Sequence, residues 1–207
     1  MFIFSEYVPD VMKIHIIGGF LGSGKTTLII TMAERYIEKG LKVAILENEA
    51  GEIGVDGAVL KNRGLDAVEL TNGCICCTLT GTLQSTMRNI ERDIDPDILI
   101  IEPTGLALPH KVAEMIRGTV DDEKVSIIGV CDAVRFQLLK EKKEDFIRMQ
   151  LSKSDILWIN KIDSVDSDEI RNVKEWLSSI CPKVPIYQLS GKTGEGLEEA
   201  FSGSLYL

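Results

Sequence analysis

Gly19-Phe20-Leu21-Gly22-Ser23-Gly24-Lys25-Thr26 is the segment of this sequence with the most specific chemistry. Its glycines let the backbone curl until successive N–H groups converge, and Lys25 adds a point charge beside them. The Thr26 hydroxyl is a hard oxygen donor suited to Mg²⁺. G-x-x-x-x-G-K-[ST] between an apolar run and a helical one is a phosphate-binding loop, so Gly22, Ser23, Gly24, Lys25, Thr26 and Thr27 are candidate nucleotide contacts. Such a loop needs a carboxylate to orient the metal and its waters. The apolar run 98–101 ends in Glu102, followed by Pro103-Thr104-Gly105. An acid at the end of a central parallel strand shares the sheet edge of the phosphate loop, and Gly105 suits a backbone N–H contact to a γ-phosphate. Lys25, Thr26 and Glu102 are therefore the expected catalytic set, with Thr26 and Glu102 holding Mg²⁺.

Asn160-Lys161-Ile162-Asp163 follows another apolar run and selects a base. Asp163 can accept from guanine N1–H and from its exocyclic amine. Adenine offers a lone pair and no amine at those positions, which leaves the carboxylate unpaired and rejects ATP. Asn160 is expected to brace the loop or touch the base edge, and the Lys161 stem to cover the ring face. Ser190-Gly191-Lys192, after the last apolar run, can offer backbone N–H groups to guanine O6. The order of the motifs points to GTP with Mg²⁺ and to its hydrolysis.

Of the five cysteines, Cys74, Cys76 and Cys77 crowd together, whereas Cys131 and Cys181 stand alone and read as small core residues. The spacing is not a disulfide framework. Thiolates so placed suit Zn²⁺, with Co²⁺ or Ni²⁺ as alternatives, and three sulfurs leave a fourth position for water, a carboxylate or another molecule. A thiol redox switch and inert packing are the competing readings.

These motifs need a frame that brings strand ends together. Apolar runs rich in Ile and Val recur at 12–17, 42–46, 67–70, 97–101, 125–130, 156–159 and 184–189. Helical spacing occupies 25–39, 79–92, 110–117, 168–180 and 197–201. Alternating strand and helix predict a three-layer α/β fold with a mainly parallel central sheet, whose runs 98–101 and 127–130 are buried on both faces. The charge run 140–145 is expected to cap a helix or form a solvated turn. Segment 48–61, with three glycines and several acids, is expected to be a mobile functional loop. His15, inside the first run, is expected to be a packed or hydrogen-bonded core histidine rather than a ligand.

The chain has 207 residues, 44% of them hydrophobic and 27% charged, which is the usage of a globular domain and not of a disordered one. Its net charge of −9 opposes a phosphate backbone or an anionic membrane, so neither nucleic acid nor membrane is an expected partner. No signal peptide is legible in the first ten residues, and a cytoplasmic location is expected.

Five segments together resemble the CobW/HypB/UreG metal-handling GTPases, most closely the CobW-type branch. They are Gly18 through Thr27, Glu47-Asn48-Glu49-Ala50-Gly51-Glu52, Gly73-Cys74-Ile75-Cys76-Cys77, Glu102-Pro103-Thr104-Gly105-Leu106-Ala107, and Asn160-Lys161-Ile162-Asp163. The resemblance implies slow GTP hydrolysis coupled to delivery or insertion of a transition metal. It carries over Cys74, Cys76 and Cys77 as metal positions and Glu47 and Glu52 as accessory ligands or switch acids. Implied partners are a client metalloprotein or cofactor-synthesis enzyme, with a homodimer as a further expectation. Alternative readings are a nucleotide-gated module that escorts a cofactor or protein, and a redox-regulated GTPase. CobW-type proteins usually continue into a smaller carboxy-terminal domain, often with a His-rich stretch. Here a single GTPase domain over 1–207 is expected, without that domain and without histidine storage, since only His15 and His110 occur.

Overall fold

The structure is a computed structural model that describes residues 11–47, 66–69, 80–117 and 125–205. Among these residues the seven strands are β1 (Lys13–Gly19), β2 (Val43–Glu47), β3 (Asp66–Glu69), β4 (Ile98–Glu102), β5 (Val125–Asp132), β6 (Ile156–Asn160) and β7 (Ile186–Leu189). They form one sheet in the order β3-β2-β4-β1-β5-β6-β7. Every neighbouring pair is parallel. Between the strands run α1 (Lys25–Glu38), α2 (Thr80–Asn89), α3 (Pro109–Arg117), α4 (Phe136–Leu151) and α5 (Ser167–Ile180), and α6 (Leu197–Leu205) follows β7.

Central strands read as unbroken apolar runs because both faces are covered, and alternate residues go to opposite layers. Ile45, Ile100, Ile128 and Trp158 pack under α1 and α6, against Leu28, Met32 and Phe201. Their neighbours Leu46, Leu99, Ile101 and Ile127 pack on the other face against Leu83, Met87, Val112 and Ile116 of α2 and α3. Further along that face, Leu157 and Ile159 meet Phe136 and Ile147 of α4 and Trp176 and Leu177 of α5. The expected three-layer fold is thus the observed one. Each such side chain, fully buried, contributes about 1.5–3 kcal/mol.

The charge run 140–145 differs from expectation. It is neither a cap nor a turn but the middle of α4, whose helix bends at Lys143 (φ −146°, ψ 27°). The charges lie on the outer face while Phe136, Ile147, Gln150 and Leu151 are buried beneath. Side-chain pairs along the helix support it, Gln137 to Glu141 at 2.7 Å and Arg148 to Glu144 at 3.0 Å. The helix expected over 79–92 is α2 followed by a π turn, Ile90–Ile94, which stops at left-handed Asp95 (φ 49°).

His15 is 1% exposed, with Nδ1 2.7 Å from Ser126 Oγ. Burial, with a smaller contribution from the Lys13 charge, lowers its pKa to about 3, so it is a neutral core histidine. Cys131 and Cys181 are buried, and burial pushes the Cys131 thiol up to about 12.

Candidate functional site

All seven described strands point their carboxyl ends to one edge, and the phosphate and base motifs collect there. β1 ends at Gly19 and α1 begins at Lys25, so the phosphate loop is the turn between the central strand and its helix. Gly24, at the N-terminus of α1, is left-handed (φ +92°). A Cβ there would also come 2.4 Å from Asn160 Nδ2, so only glycine fits. The two motifs are therefore packed together, and Asn160 Nδ2 donates to Ser23 O at 2.8 Å.

Lys25 is 5% exposed, with Nζ 3.6 Å from Glu102 Oε1. Thr26 Oγ1 donates to Glu102 Oε2 at 3.0 Å. An ammonium, a hydroxyl and a carboxylate thus meet at one point between β1 and β4. The hydroxyl and carboxylate oxygens are a hard donor set that fits Mg²⁺. The loop after Glu102 lies against the phosphate loop, since a Cβ on Gly105 would come 3.0 Å from Leu21 N. It is tied from behind by buried Gln150 of α4, whose Nε2 donates to Gly105 O at 2.8 Å and Ala107 O at 3.2 Å.

The base motif lies at the ends of β6 and β7. Asn160 resolves into a brace: Oδ1 accepts from Lys161 N at 2.8 Å and Gly191 N at 3.0 Å. Asp163 Oδ1 accepts from Ser190 Oγ at 2.6 Å, and Oδ2 from Ser164 Oγ at 3.0 Å. The Ser190 hydroxyl, more than that of Ser164, holds this carboxyl below the usual carboxylate range. Ser190 is itself fully buried and accepts from Lys192 N at 3.2 Å and Thr193 N at 3.1 Å. The N–H groups of Gly191 and Lys192, read from sequence as donors to a base, are thus engaged inside the turn after β7. The Lys192 ammonium is 83% exposed and 4.0 Å from Asp163. Left-handed Lys161 (φ 70°) sends Nζ to Gly22 O and to Asp132 Oδ2, both at 2.8 Å.

Asp132 and Arg135 escaped the sequence reading. Asp132 ends β5 as Glu102 ends β4, and an acid closing an unbroken apolar strand was the available signal. Glu47 ends β2 in register with Glu102 and Glu69. Cys74, Cys76, Cys77, Glu52 and segment 48–61 lie outside the described residues. Among the described residues no group of three or more His, Cys, Asp or Glu is placed to hold a metal ion.

The nucleotide-binding domain profile of CobW/HypB/UreG proteins matches residues 13–188. The chain belongs to the CobW/HypB/UreG family. A zinc chaperone CobW of Sinorhizobium sp. is 33% identical over 211 aligned residues, covering 87% of this chain and 59% of that protein. The zinc chaperone YeiR of Escherichia coli K12 is 33% identical, with 79% and 51% covered. The chain thus spans only 51–59% of the length of these two curated relatives. The solved hydrogenase maturation factor HypB of Archaeoglobus fulgidus superposes with a TM-score of 0.68 at 21% identity, covering 94% of this chain and 89% of that one. At that identity the likeness speaks for the fold, and it is the fold of a CobW/HypB/UreG nucleotide-binding domain.

Proposed function

We propose that this chain binds GTP with Mg²⁺, hydrolyses it slowly, and couples the nucleotide state to binding and delivery of a transition metal, Zn²⁺ first. The observation that carries the nucleotide half is the meeting of Lys25, Thr26 and Glu102 at one sheet edge with the braced carboxylate of Asp163. Lys25 offsets phosphate charge. Thr26 and Glu102 hold Mg²⁺, which when bound supplies charge neutralisation at the phosphates. Asp163, held in place by Ser190, recognises the guanine N1–H and amine; Gly105 supplies an N–H to the γ-phosphate end.

The metal half rests on the residue types of Cys74, Cys76 and Cys77, with Glu47 and Glu52 as accessory acids, and on relatives named as zinc chaperones. In this reading the cargo passes to a client metalloprotein or cofactor-synthesis enzyme in the cytoplasm. No helix among the described residues is long and apolar enough to cross a membrane.

A chelator competition titration run with GDP, GTP and a non-hydrolysable analogue tests the coupling. Linkage requires that GTP change Zn²⁺ affinity by the factor by which Zn²⁺ changes GTP affinity, about 5–150-fold for a coupling of about 1–3 kcal/mol. Cys76→Ser with Cys77→Ser should erase that cross-effect and leave metal-free GTP affinity unchanged. Equal Zn²⁺ affinity in all three states defeats the coupling, and GTP that persists in single-turnover assays defeats the hydrolase.

A further inference from the structure

Three consecutive carbonyls of the phosphate loop are gripped by side chains from two other strand ends. Arg135 Nη2 donates to Leu21 O at 2.5 Å, Lys161 Nζ to Gly22 O at 2.8 Å, and Asn160 Nδ2 to Ser23 O at 2.8 Å. In a planar trans peptide the N–H points opposite to the C=O. Holding the carbonyls of Leu21 and Ser23 outward therefore turns the N–H groups of Gly22 and Gly24 toward the concave side of the loop. The Ser23 N–H closes a turn on Phe20 O at 3.1 Å.

Two of the three grips depend on one acid. Asp132 Oδ2 accepts from Arg135 Nε at 2.6 Å and from Lys161 Nζ at 2.8 Å, while Oδ1 accepts from Val134 N at 3.1 Å and Arg135 N at 3.3 Å. Its side chain has no exposed surface, whereas Arg135 and Lys161 keep 37% and 34%. Without the carboxylate, a guanidinium and an ammonium would share one small region with only carbonyl dipoles to hold them. Their mutual repulsion and the pull of solvent would draw both outward.

We propose that Asp132 is the positioning residue of the phosphate loop: it clamps Arg135 and Lys161 onto the carbonyls of Leu21 and Gly22, which turns the Gly22 N–H toward phosphate and holds the Phe20–Ser23 turn in place. This rests on the reading of the loop as a GTP-phosphate site. Arg135 is the part of the device that spans both ends, since Nε meets the acid and Nη2 meets the loop. A lysine at that position carries the charge but cannot make both contacts.

The test measures the Kd of GDP and of GTP for the wild type, Asp132→Asn, Arg135→Ala, Arg135→Lys and the Asp132→Asn/Arg135→Ala double variant. The phosphorus NMR resonance of the bound GDP β-phosphate and the unfolding midpoint without nucleotide are recorded alongside. Asp132→Asn and Arg135→Ala should each weaken both nucleotides about tenfold or more, as expected when charged hydrogen bonds that order the loop are lost. The double variant should be no worse than the weaker-binding single one, because both substitutions break one clamp. Arg135→Lys should fail to restore affinity, and the β-phosphate resonance should move in every variant that still binds. Should Asp132→Asn fail to fold, Arg135→Ala and Arg135→Lys carry the test, as Arg135 is partly exposed. Wild-type affinity in the variants, full additivity in the double variant, or an unmoved resonance overturns the proposal. If the wild type itself binds no GTP, the phosphate-loop reading falls with it; if the wild type binds and the variants match it, only the role of Asp132 falls.

Discussion

Asp163 shows how much of a binding preference is built before any ligand arrives. Its Oδ1 is already committed to Ser190 at 2.6 Å, so the carboxylate has one orientation in which to present its remaining lone pairs. In Asp163→Asn the amide oxygen inherits the Ser190 hydrogen bond and the NH₂ replaces Oδ2. That exchanges an acceptor for a donor opposite the base. GTP affinity should fall about 10–150-fold, as expected when a charge-assisted pair to the base is lost, while xanthosine triphosphate, with a carbonyl in place of the amine, should gain. Competition of the two triphosphates against a fluorescent GDP analogue reads this directly, and an unaltered base preference would remove Asp163 from the base site. The residue types and order of these motifs were legible because phosphate and guanine chemistry admit few side chains. The internal use of the Gly191 and Lys192 amides was not, because a backbone N–H has no signature in a sequence. Asp132 carried a signal as the acid closing β5, but its role did not, because Lys161 reaches it only through the pairing of β5 with β6.

At the scale of elements, the sheet was readable and one helix was not. Doubly covered parallel strands must be apolar at every position, so β4 and β5 announce themselves as Ile-Leu-Ile-Ile and Ile-Ile-Gly-Val. α4 conceals itself, because its exposed face presents six consecutive charges at 140–145 and its buried residues are split to either side of them. α5 offers a sharper quantity. Asp166 is its N-cap, accepting from Asp168 N at 2.9 Å and Glu169 N at 2.8 Å, and Glu169 Oε2 accepts in return from Asp166 N at 3.0 Å. Asp166→Ala should cost about 0.5–2 kcal/mol, or roughly 2–4 °C of Tm per kcal/mol in a domain of this size. Calorimetry that finds no loss would show the reciprocal cap to be idle. Since Asp163 lies just before this helix, the same variant asks how firmly α5 holds the base loop.

For the molecule as a whole, His15 makes stability depend on pH from within the core. The unfolded chain takes up this proton near pH 6.5, whereas the folded chain takes it up only at about 3. Between those values the unfolded state binds more protons. The stabilisation is therefore complete above about pH 6.5 and declines as the pH falls, by about 1.4 kcal/mol per unit once well below it. Denaturant unfolding from pH 6.5 to 5 should lose up to about 2 kcal/mol from this group, and His15→Gln should flatten the slope by about one proton even if it lowers stability throughout. Parallel slopes in the two proteins would show that the carboxylates alone set the acid limit.

The strand order has a consequence in time rather than in space. β1 and β2 are neighbours in sequence but not in the sheet, because β4 runs between them and pairs with both. A nascent chain that has emerged only as far as Asp97 holds the phosphate loop and its helix, yet the strand that joins β1 to β2 has not been made. Until Ile98–Glu102 leaves the ribosome and inserts, two apolar strands have edges that invite pairing in the wrong register or with another chain. Glu102 arrives with the same segment, so the acid beside Lys25 and Thr26 reaches its place only as the sheet closes around it, and assembly of the site coincides with the slow, non-local step of folding.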